Sequence, residues 1–379
     1  MQRSRGTVAT VAAIFTIAGC GIAAEDRGGG GVTGAPAGAR PYVDGSGCPE
    51  VICGMNSPVV DSFGFHELSL DGAANAEGFR IDTGTRGVAQ LFQGGVWYDL
   101  RVTNNHISGV NGGRVLLPTD VSGAQIPIRR MGKSYVLRVT STRDLPFFVG
   151  ATGWLGAYVF EWTEGKVGGH GKFANLCADV AALLEYTHDQ GEDSRYAEQE
   201  LKGLAPVEAV VFEGDRVDAT AMSMDPAADD RWFNFGCAGQ TLSKLLLTHN
   251  TAHTQDPALS PSEAWQHRQT TLKMLAADYC GTGQPFTVGG QILDWKGDAM
   301  TYYWPNPREL EARWNENGAI CIGTPRLMHP TTRQGAALFT PEYADVNEAI
   351  AKLCATPPPR CNDSDPVPFD GAIRVTANP

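Results

Sequence analysis

Residues 260–283 read SPSEAWQHRQTTLKMLAADYCGTG, and this stretch decides how the second half of the chain folds. Ser260 is a candidate N-cap residue, because its hydroxyl can accept a hydrogen bond from an unpaired backbone amide of the first helical turn. Pro261 suits the first helical position, and Glu263 places negative charge near the positive end of the helix dipole. The stretch therefore predicts a helix that begins directly after Ser260.

The same stretch also predicts where this helix ends. Asp278 and Tyr279 close it, and Gly281 or Gly283 can adopt the left-handed conformation that terminates many helices. Cys280 would then join this end of the helix to another element through a disulfide. The ring of Tyr279 is expected to pack against apolar side chains while its hydroxyl finds one hydrogen-bond partner.

The first half of the chain has the pattern of short strands. Between residues 63 and 162, segments rich in β-branched and aromatic residues, such as VWYDLRV, IPIRR and AYVFEW, are separated by Gly, Asn, Asp or Pro. The turn Asn111-Gly112-Gly113 lies between two apolar runs and favours a hairpin. This pattern predicts an N-terminal antiparallel β sandwich or barrel-like domain over residues 47–165.

Residues 166–379 are predicted to form an α+β domain that is stapled by disulfides. Residues 207–222 read VEAVVFEGDRVDATAM, which is typical of a strand and a turn, and residues 239–250 read GQTLSKLLLTHN, which is typical of a helix. Apolar residues also recur near helical spacing in KFANLCADVAALLEYT, residues 172–187. The protein as a whole is therefore expected to belong to the α+β class.

The N-terminal segment MQRSRGTVATVAAIFTIAGC is organised like a lipoprotein signal peptide. Two arginines precede a short apolar run, which ends in the lipobox pattern IAGC. We expect residues 1–19 to be removed and Cys20 to carry the lipid that anchors the protein to a membrane. The Gly-rich residues 20–46 then form a flexible linker. Gly21, directly after the cysteine, favours a location at the outer membrane or cell surface.

The amino-acid composition of the chain limits the classes of molecule that it is expected to bind. The chain has 379 residues and a formal net charge of −12, with 42% hydrophobic and 19% charged residues. These proportions are typical of a globular protein, and the acidic balance argues against binding nucleic acid. Contact with a membrane is expected only through the lipid on Cys20. No cofactor and no metal ion is predicted.

The cysteine content predicts a disulfide framework. The chain has nine cysteines, and assigning Cys20 to the lipid leaves eight that can pair in an exported protein. These eight are Cys48, Cys53, Cys177, Cys237, Cys280, Cys321, Cys354 and Cys361. The pairs 48–53 and 354–361 each flank a short loop and are expected to close locally. The other four cysteines allow three pairings, among which 177–237 together with 280–321 is preferred.

Several segments follow, in order, the pattern of a known family. The segment ADYC (residues 277–280) is preceded by FNFGCAG (residues 233–239) and followed by EARW (residues 311–314) and GAIC (residues 318–321). Together these landmarks resemble the ADYC domain, a family of exported proteins. The resemblance implies that the cysteines are structural, and it implies no particular activity.

Catalytic or metal-binding interpretations of these segments are weaker than the structural one. Cys280 could act as a nucleophile with His249, His253 or His267, but the C-terminus of a helix disfavours a thiolate. His249 and His253 have the i, i+4 spacing of a metal pair, without the glutamate of the zincin motif. The segment GTG (residues 281–283) follows a helix, so it lacks the amides of a phosphate loop. A solvated acidic loop is favoured over calcium binding for Asp215, Asp218, Asp225, Asp229 and Asp230.

The sequence favours a non-catalytic module that binds a protein or a glycan at the cell envelope. Exposed aromatic rings are common in glycan-binding sites, so an aromatic cluster is the candidate binding surface. It consists of Trp295, Tyr302, Tyr303 and Trp304. The alternative function is an envelope hydrolase or transferase that uses Cys280 or a histidine cluster. No catalytic residue is assigned.

Overall fold

The computed structural model describes residues 66–147, 153–177, 205, 207–287, 294–297, 310–326, 346–361 and 374–377. The predictions for the signal peptide, Cys20, the linker and the Cys48–Cys53 bond fall outside these residues, as do those for Tyr302, Tyr303 and Trp304. Within the described part of the chain, no helix is long and apolar enough to cross a bilayer.

The described residues form eighteen strands and three α-helices, with an α+β architecture as the sequence predicts. The strands are β1 (Glu67–Ser69), β2 (Arg80–Ile81), β3 (Gln90–Gln93), β4 (Val96–Thr103), β5 (His106–Asn111), β6 (Arg114–Leu116), β7 (Gln125–Arg130), β8 (Lys133–Pro146), β9 (Trp154–Glu164), β10 (Ala174–Asn175), β11 (Glu208–Gly214), β12 (Val217–Asp218), β13 (Ser223–Met224), β14 (Asp229–Cys237), β15 (Asp294–Gly297), β16 (Leu310–Asn315), β17 (Gly318–Ile322) and β18 (Arg374–Ala377). The helices are α1 (Thr241–Leu247), α2 (Pro261–Ala276) and α3 (Val346–Leu353).

Twelve of the strands form one antiparallel sheet. Its main path runs β1-β14-β11-β9-β8-β7-β3-β4-β5-β6, with β2 paired to β7 and β10 paired to β9. The sheet crosses the predicted domain boundary between residues 165 and 166, because Glu208 of β11 pairs with Val159 of β9. Strands from both sides of that boundary therefore share one hydrogen-bonded ladder.

Strand β11 lies between β14 and β9 in the main sheet and is buried on both faces. Phe212 points into a core that the strand shares with the helices, whereas Val211 points into a core formed among the strands. The second core exists because the sheet curls back on itself. For example, the amide of Ile107 in β5 donates a hydrogen bond to the hydroxyl of Tyr158 in β9 at 2.8 Å. The first half of the chain is therefore sandwich-like, and helices cover the opposite side of β11.

Helix α2 begins as predicted but ends earlier. The hydroxyl of Ser260 accepts a hydrogen bond from the amide of Glu263 at 3.3 Å, and the Glu263 carboxylate accepts one from the amide of Ser260 at 2.9 Å. Ala277 adopts the left-handed conformation at the end of the helix, with φ of 52°. The expected residues, Gly281 and Gly283, also have positive φ, but they lie in the loop that follows. The helix is closed by hydrogen bonds from the amide of Ala277 to the carbonyl of Met274 at 3.1 Å and from the amide of Asp278 to the carbonyl of Lys273 at 2.9 Å.

A second sheet of four strands, in the order β15-β18-β16-β17, contacts helix α2. The segment that follows α2 docks on the turn between β16 and β17, where the amide of Ala319 donates to the carbonyl of Tyr279 at 3.1 Å. At Gly281 and Gly318 the two backbones approach so closely that a Cβ on either residue would meet the backbone of the other segment. Glycine at both positions therefore permits this docking.

The Cys177–Cys237 disulfide has the partners that the sequence predicts, and it joins the segment after β10 to the end of β14. Where the structure describes it, the segment that carries Cys177 does not form the helix that the apolar spacing of residues 172–187 suggests. Its residues Ala174 and Asn175 pair with β9 as a short strand, because the main sheet offers them a hydrogen-bonding edge. Residues 178–187 lie outside the described part of the chain.

The predicted bonds 280–321 and 354–361 are wrong. Cys280 pairs with Cys354, just after α3, and Cys321 pairs with Cys361. The proline-rich loop between Cys354 and Cys361 runs along β17, where the amide of Ile322 donates to the carbonyl of residue 359 at 2.9 Å. This extended course, which proline favours, keeps the two ends of the loop apart and places Cys361 beside Cys321.

We predict that Gly281→Ala destabilises the fold much more than Gly132→Ala does. Both glycines have positive φ, of 70° and 81°, so alanine should cost about 1 kcal/mol of conformational strain at either site. A Cβ at Gly132 meets open space, whereas at Gly281 it meets the carbonyl oxygen of Asn317. The total loss at Gly281 should reach about 3 kcal/mol, measured by urea unfolding. Equal losses in the two variants would contradict the docking described above.

Candidate functional site

The carboxylate of Asp278 is fully buried and ties the end of helix α2 to the loop that follows. It accepts a hydrogen bond from the ammonium group of Lys273 at 2.6 Å, one turn back in the helix. It also accepts hydrogen bonds from the amides of Thr282 at 3.0 Å and Gly283 at 2.8 Å. Each of these bonds is local, so Asp278 shapes the loop instead of facing a ligand.

Tyr279 belongs to a buried network of polar side chains. Its hydroxyl donates to the Glu311 carboxylate at 2.6 Å, and the Nε of Arg326 donates to the same oxygen at 2.6 Å. The ring of Tyr279 stacks on Trp314, with 5.2 Å between the ring centroids. Burial, together with the charge of Glu311, raises the pKa of Tyr279 well above its ordinary range. The hydroxyl therefore stays protonated and acts as a donor.

The residues that suggested catalysis or metal binding have structural partners. Cys280 is bonded to Cys354, so its sulfur offers no thiolate for nucleophilic catalysis. His249 stacks on Phe147 with 4.0 Å between the ring centroids. His253 instead lies beside Asp230, with 2.7 Å between Nε2 and Oδ1. Among the described residues, no group of three or more His, Cys, Asp or Glu side chains is arranged to hold a metal ion.

The acidic residues between 215 and 230 do not share a common site. Asp215 is buried beside Arg268, with 2.9 Å between Oδ1 and Nε, and burial raises the pKa of its carboxyl group. The Asp218 carboxylate caps a turn, where it accepts a hydrogen bond from the amide of Thr220 at 2.8 Å. Asp229 pairs with the neighbouring Arg231 at 2.7 Å. The acids are therefore distributed among separate ion pairs and turns.

Of the predicted aromatic surface, only the backbone of Trp295 falls within the described residues. It lies in β15 and pairs with Thr376 of β18. Two other tryptophans, which the sequence did not single out for binding, are exposed on the main sheet. Trp97 of β4 has 38% of its surface exposed, and Trp154 of β9 has 62%.

Trp97 lines a cleft with a volume of about 650 Å³ on the main sheet. The cleft lies between the β3–β4 hairpin, the ends of β7 and β8, and the loop that follows β9. Its aromatic and charged lining residues are Asp82, Arg86, Trp97, Arg129, Tyr135 and Lys166. We refer to this feature as the Trp97 cleft. Its volume falls in the range that is usual for small-molecule sites.

The aromatic part of the Trp97 cleft is held in place from one side. The ring of Trp97 packs against Phe92 of β3, with 5.1 Å between the ring centroids and an angle of 54° between the planes. These two residues are direct cross-strand partners in the β3–β4 hairpin. The indole is therefore held by a tilted contact with Phe92, and its exposed part is available to a ligand.

The charged part of the Trp97 cleft is also fixed in position. The amide of Asp82 continues the β2–β7 ladder by donating to the carbonyl of Pro127 at 2.9 Å. The Asp82 carboxylate accepts hydrogen bonds from Nε of Arg129 at 2.7 Å and from the amide of Gly84 at 3.2 Å. Because the guanidinium of Arg129 is 52% exposed, it retains donors that can reach a ligand.

The alternation of residues in strand β4 is the signal in the sequence that points to this site. In strand β4, Leu100 and Val102 are buried, so the residues in phase with them face the core. Trp97 is out of phase with both and shares the outer face with Asp99 and Arg101. A tryptophan on the polar face of an alternating strand is unusual for a core residue and typical of a binding surface.

The protein is built on a large antiparallel sheet. A buried polar network joins the end of helix α2 to the β16–β17 hairpin, and disulfides add further links. The family model of the ADYC domain matches residues 119–328, which is more than half of the chain. The chain therefore belongs to the ADYC domain family, which confirms the family resemblance drawn from residues 277–280 and the later landmarks. No curated protein and no solved structure matches the chain.

We predict that Glu311→Gln destabilises the protein by about 3–5 kcal/mol, because it leaves the buried charge of Arg326 without its counter-ion. The matched control is Glu164→Gln, which removes a carboxylate that pairs with Lys133 at the surface. This control should change the free energy of unfolding little. Urea denaturation followed by tryptophan fluorescence measures both. If both variants lost similarly little free energy of unfolding, the Arg326 charge could not depend on Glu311 as its counter-ion.

Proposed function

We propose that this protein is a non-catalytic binding module of the cell envelope, anchored through Cys20, and that it binds a glycan in the Trp97 cleft. The observation that carries the proposal is the combination of a supported, partly exposed indole with fixed polar groups in one cleft of about 650 Å³. A sugar ring presents C–H groups on its faces and hydroxyls around its edge. It therefore fits a site that is aromatic on one side and polar around it.

The two arginine–aspartate pairs near the indole support this assignment. Arg129 is held by Asp82, and Arg86 lies 3.3 Å from Asp99. In each pair the carboxylate can accept a hydrogen bond and the guanidinium can donate one, which matches two neighbouring sugar hydroxyls. Because the pairs are formed before a ligand arrives, fewer side chains lose conformational freedom on binding.

The residues of the family signature have structural roles, which favours a binding function over a catalytic one. The signature residues Asp278, Tyr279 and Cys280 are occupied by an ion pair, a buried hydrogen bond and a disulfide. The hydrolase or transferase alternative depends on Cys280 or on His249 and His253, and each of these side chains has a structural contact. A binding role requires none of them.

We predict that Trp97→Ala weakens glycan binding at least tenfold, since it removes a stacking contribution of about 1.4 kcal/mol. Trp154→Ala is the matched control, because Trp154 is also exposed on the sheet but does not line the cleft. A glycan array with the wild-type protein identifies a ligand, and calorimetry then compares the variants. Equal affinities of the two variants would place the site elsewhere. No glycan bound by the wild-type protein would contradict the proposed ligand class.

We predict that Cys20→Ser abolishes lipid attachment, because the thiol of Cys20 is the proposed acceptor. The full chain would be expressed in a bacterium that processes lipoproteins and labelled with an alkyne fatty acid. The wild-type protein should carry the label and sediment with the membrane fraction. Cys48→Ser, which removes the next cysteine of the chain, should remain labelled. Lipid labelling of Cys20→Ser would overturn the proposed anchor.

A further inference from the structure

We infer that the glycan bound in the Trp97 cleft carries an anionic group, and that Lys166 is the residue that recognises its charge. This inference rests on the proposed glycan-binding function and adds the chemical class of the ligand. It follows from the charge balance of the cleft and from the way the loop after β9 presents Lys166.

Lys166 is the unbalanced charge among the cationic residues of the cleft. Arg129 is compensated by Asp82 at 2.6 Å. Arg86 is compensated by Asp99 at 3.3 Å. No described residue forms an ion pair with the ammonium group of Lys166. The cleft is therefore locally positive on a chain whose formal net charge is −12, and a local charge of opposite sign favours an anionic ligand.

The loop that carries Lys166 is anchored on both sides of this residue. The amide of Gly165 donates to the carbonyl of Ser134 at 2.8 Å. The amide of Gly168 donates to the side-chain oxygen of Gln125 at 2.8 Å. Within the turn, the amide of Gly169 donates to the carbonyl of Lys166 at 2.9 Å. The backbone of Lys166 is therefore fixed relative to β7 and β8, and this exposed residue is part of the cleft lining.

A neutral sugar could accept only an ordinary hydrogen bond from the ammonium group of Lys166, through a hydroxyl oxygen. A carboxylate, sulfate or phosphate on the sugar would instead form a charge-assisted hydrogen bond with it. Because Lys166 is exposed, water weakens this interaction and salt screens it. The expected signature is therefore a modest preference for the charged ligand that decreases as ionic strength rises.

The test compares a galacturonate oligomer with its methyl ester, which keeps the sugar rings and removes the charge. The wild-type protein should bind the acidic form about fivefold more tightly at low salt, and this preference should disappear at high salt. Lys166→Gln should bind the two forms equally, and Lys166→Arg should keep the preference. Lys172→Gln is the matched control, because Lys172 is an exposed lysine nearby that does not line the cleft.

A sulfated and a phosphorylated oligosaccharide, each with its neutral parent, then separate the possible sources of the charge. A preference for any one acidic form that Lys166→Gln removes supports the inference. Equal binding of every charged and neutral pair by the wild-type protein would overturn the inference and leave glycan binding intact. Binding of none of these probes, together with an empty glycan array, would overturn the proposed function itself. A preference that survives in Lys166→Gln would remove Lys166 from the site.

Discussion

The ion pair between Glu311 and Arg326 lies completely out of contact with water. Burying each ion costs several kcal/mol, and this cost is offset only when close pairing is combined with further hydrogen bonds. The Tyr279 hydroxyl and the carbonyl of Met274 supply those bonds. The groups come from helix α2, the segment after it, strand β16 and the chain after β17. These parts are therefore stable only when they are assembled together, which gives the family signature a structural reason.

Two disulfides attach further segments to the elements of this junction. Cys280–Cys354 attaches the end of helix α3 to the signature segment, and Cys321–Cys361 attaches the proline-rich loop to β17. The bonds span 74 and 40 residues, so each restricts the unfolded chain by about 4 kcal/mol in the chain-entropy model. A buried polar network fixes one arrangement without contributing much net stability. The disulfides therefore contribute stability, and the polar network selects one arrangement of the connected segments.

Features that depend on neighbouring residues were predictable from the sequence, and features that depend on distant packing were not. Ser260 caps α2 through Glu263, three residues away, so the start of the helix could be predicted. The partner of Cys280 depends on where α3 packs, which no local pattern reveals. At the end of α2, glycine is the usual residue, yet Ala277 takes the left-handed conformation. Tertiary packing decides the partner of Cys280, whereas local hydrogen bonds of Asp278 fix the segment that follows Ala277.

The Trp97 cleft is lined by residues of other elements than those that form this junction. Asp82, Arg86 and Trp97 precede residue 119, where the family match begins, whereas Arg129 and Lys166 lie inside it. One wall of the cleft is therefore contributed by the matched domain and the other by the strands before it. Trp97 lies on the outer face of β4, and the Asp82 carboxylate pairs with Arg129 beside the cleft. Consequently the ligand preference of the cleft can change by substitution on β4 or its neighbours while the buried junction that holds the fold stays the same.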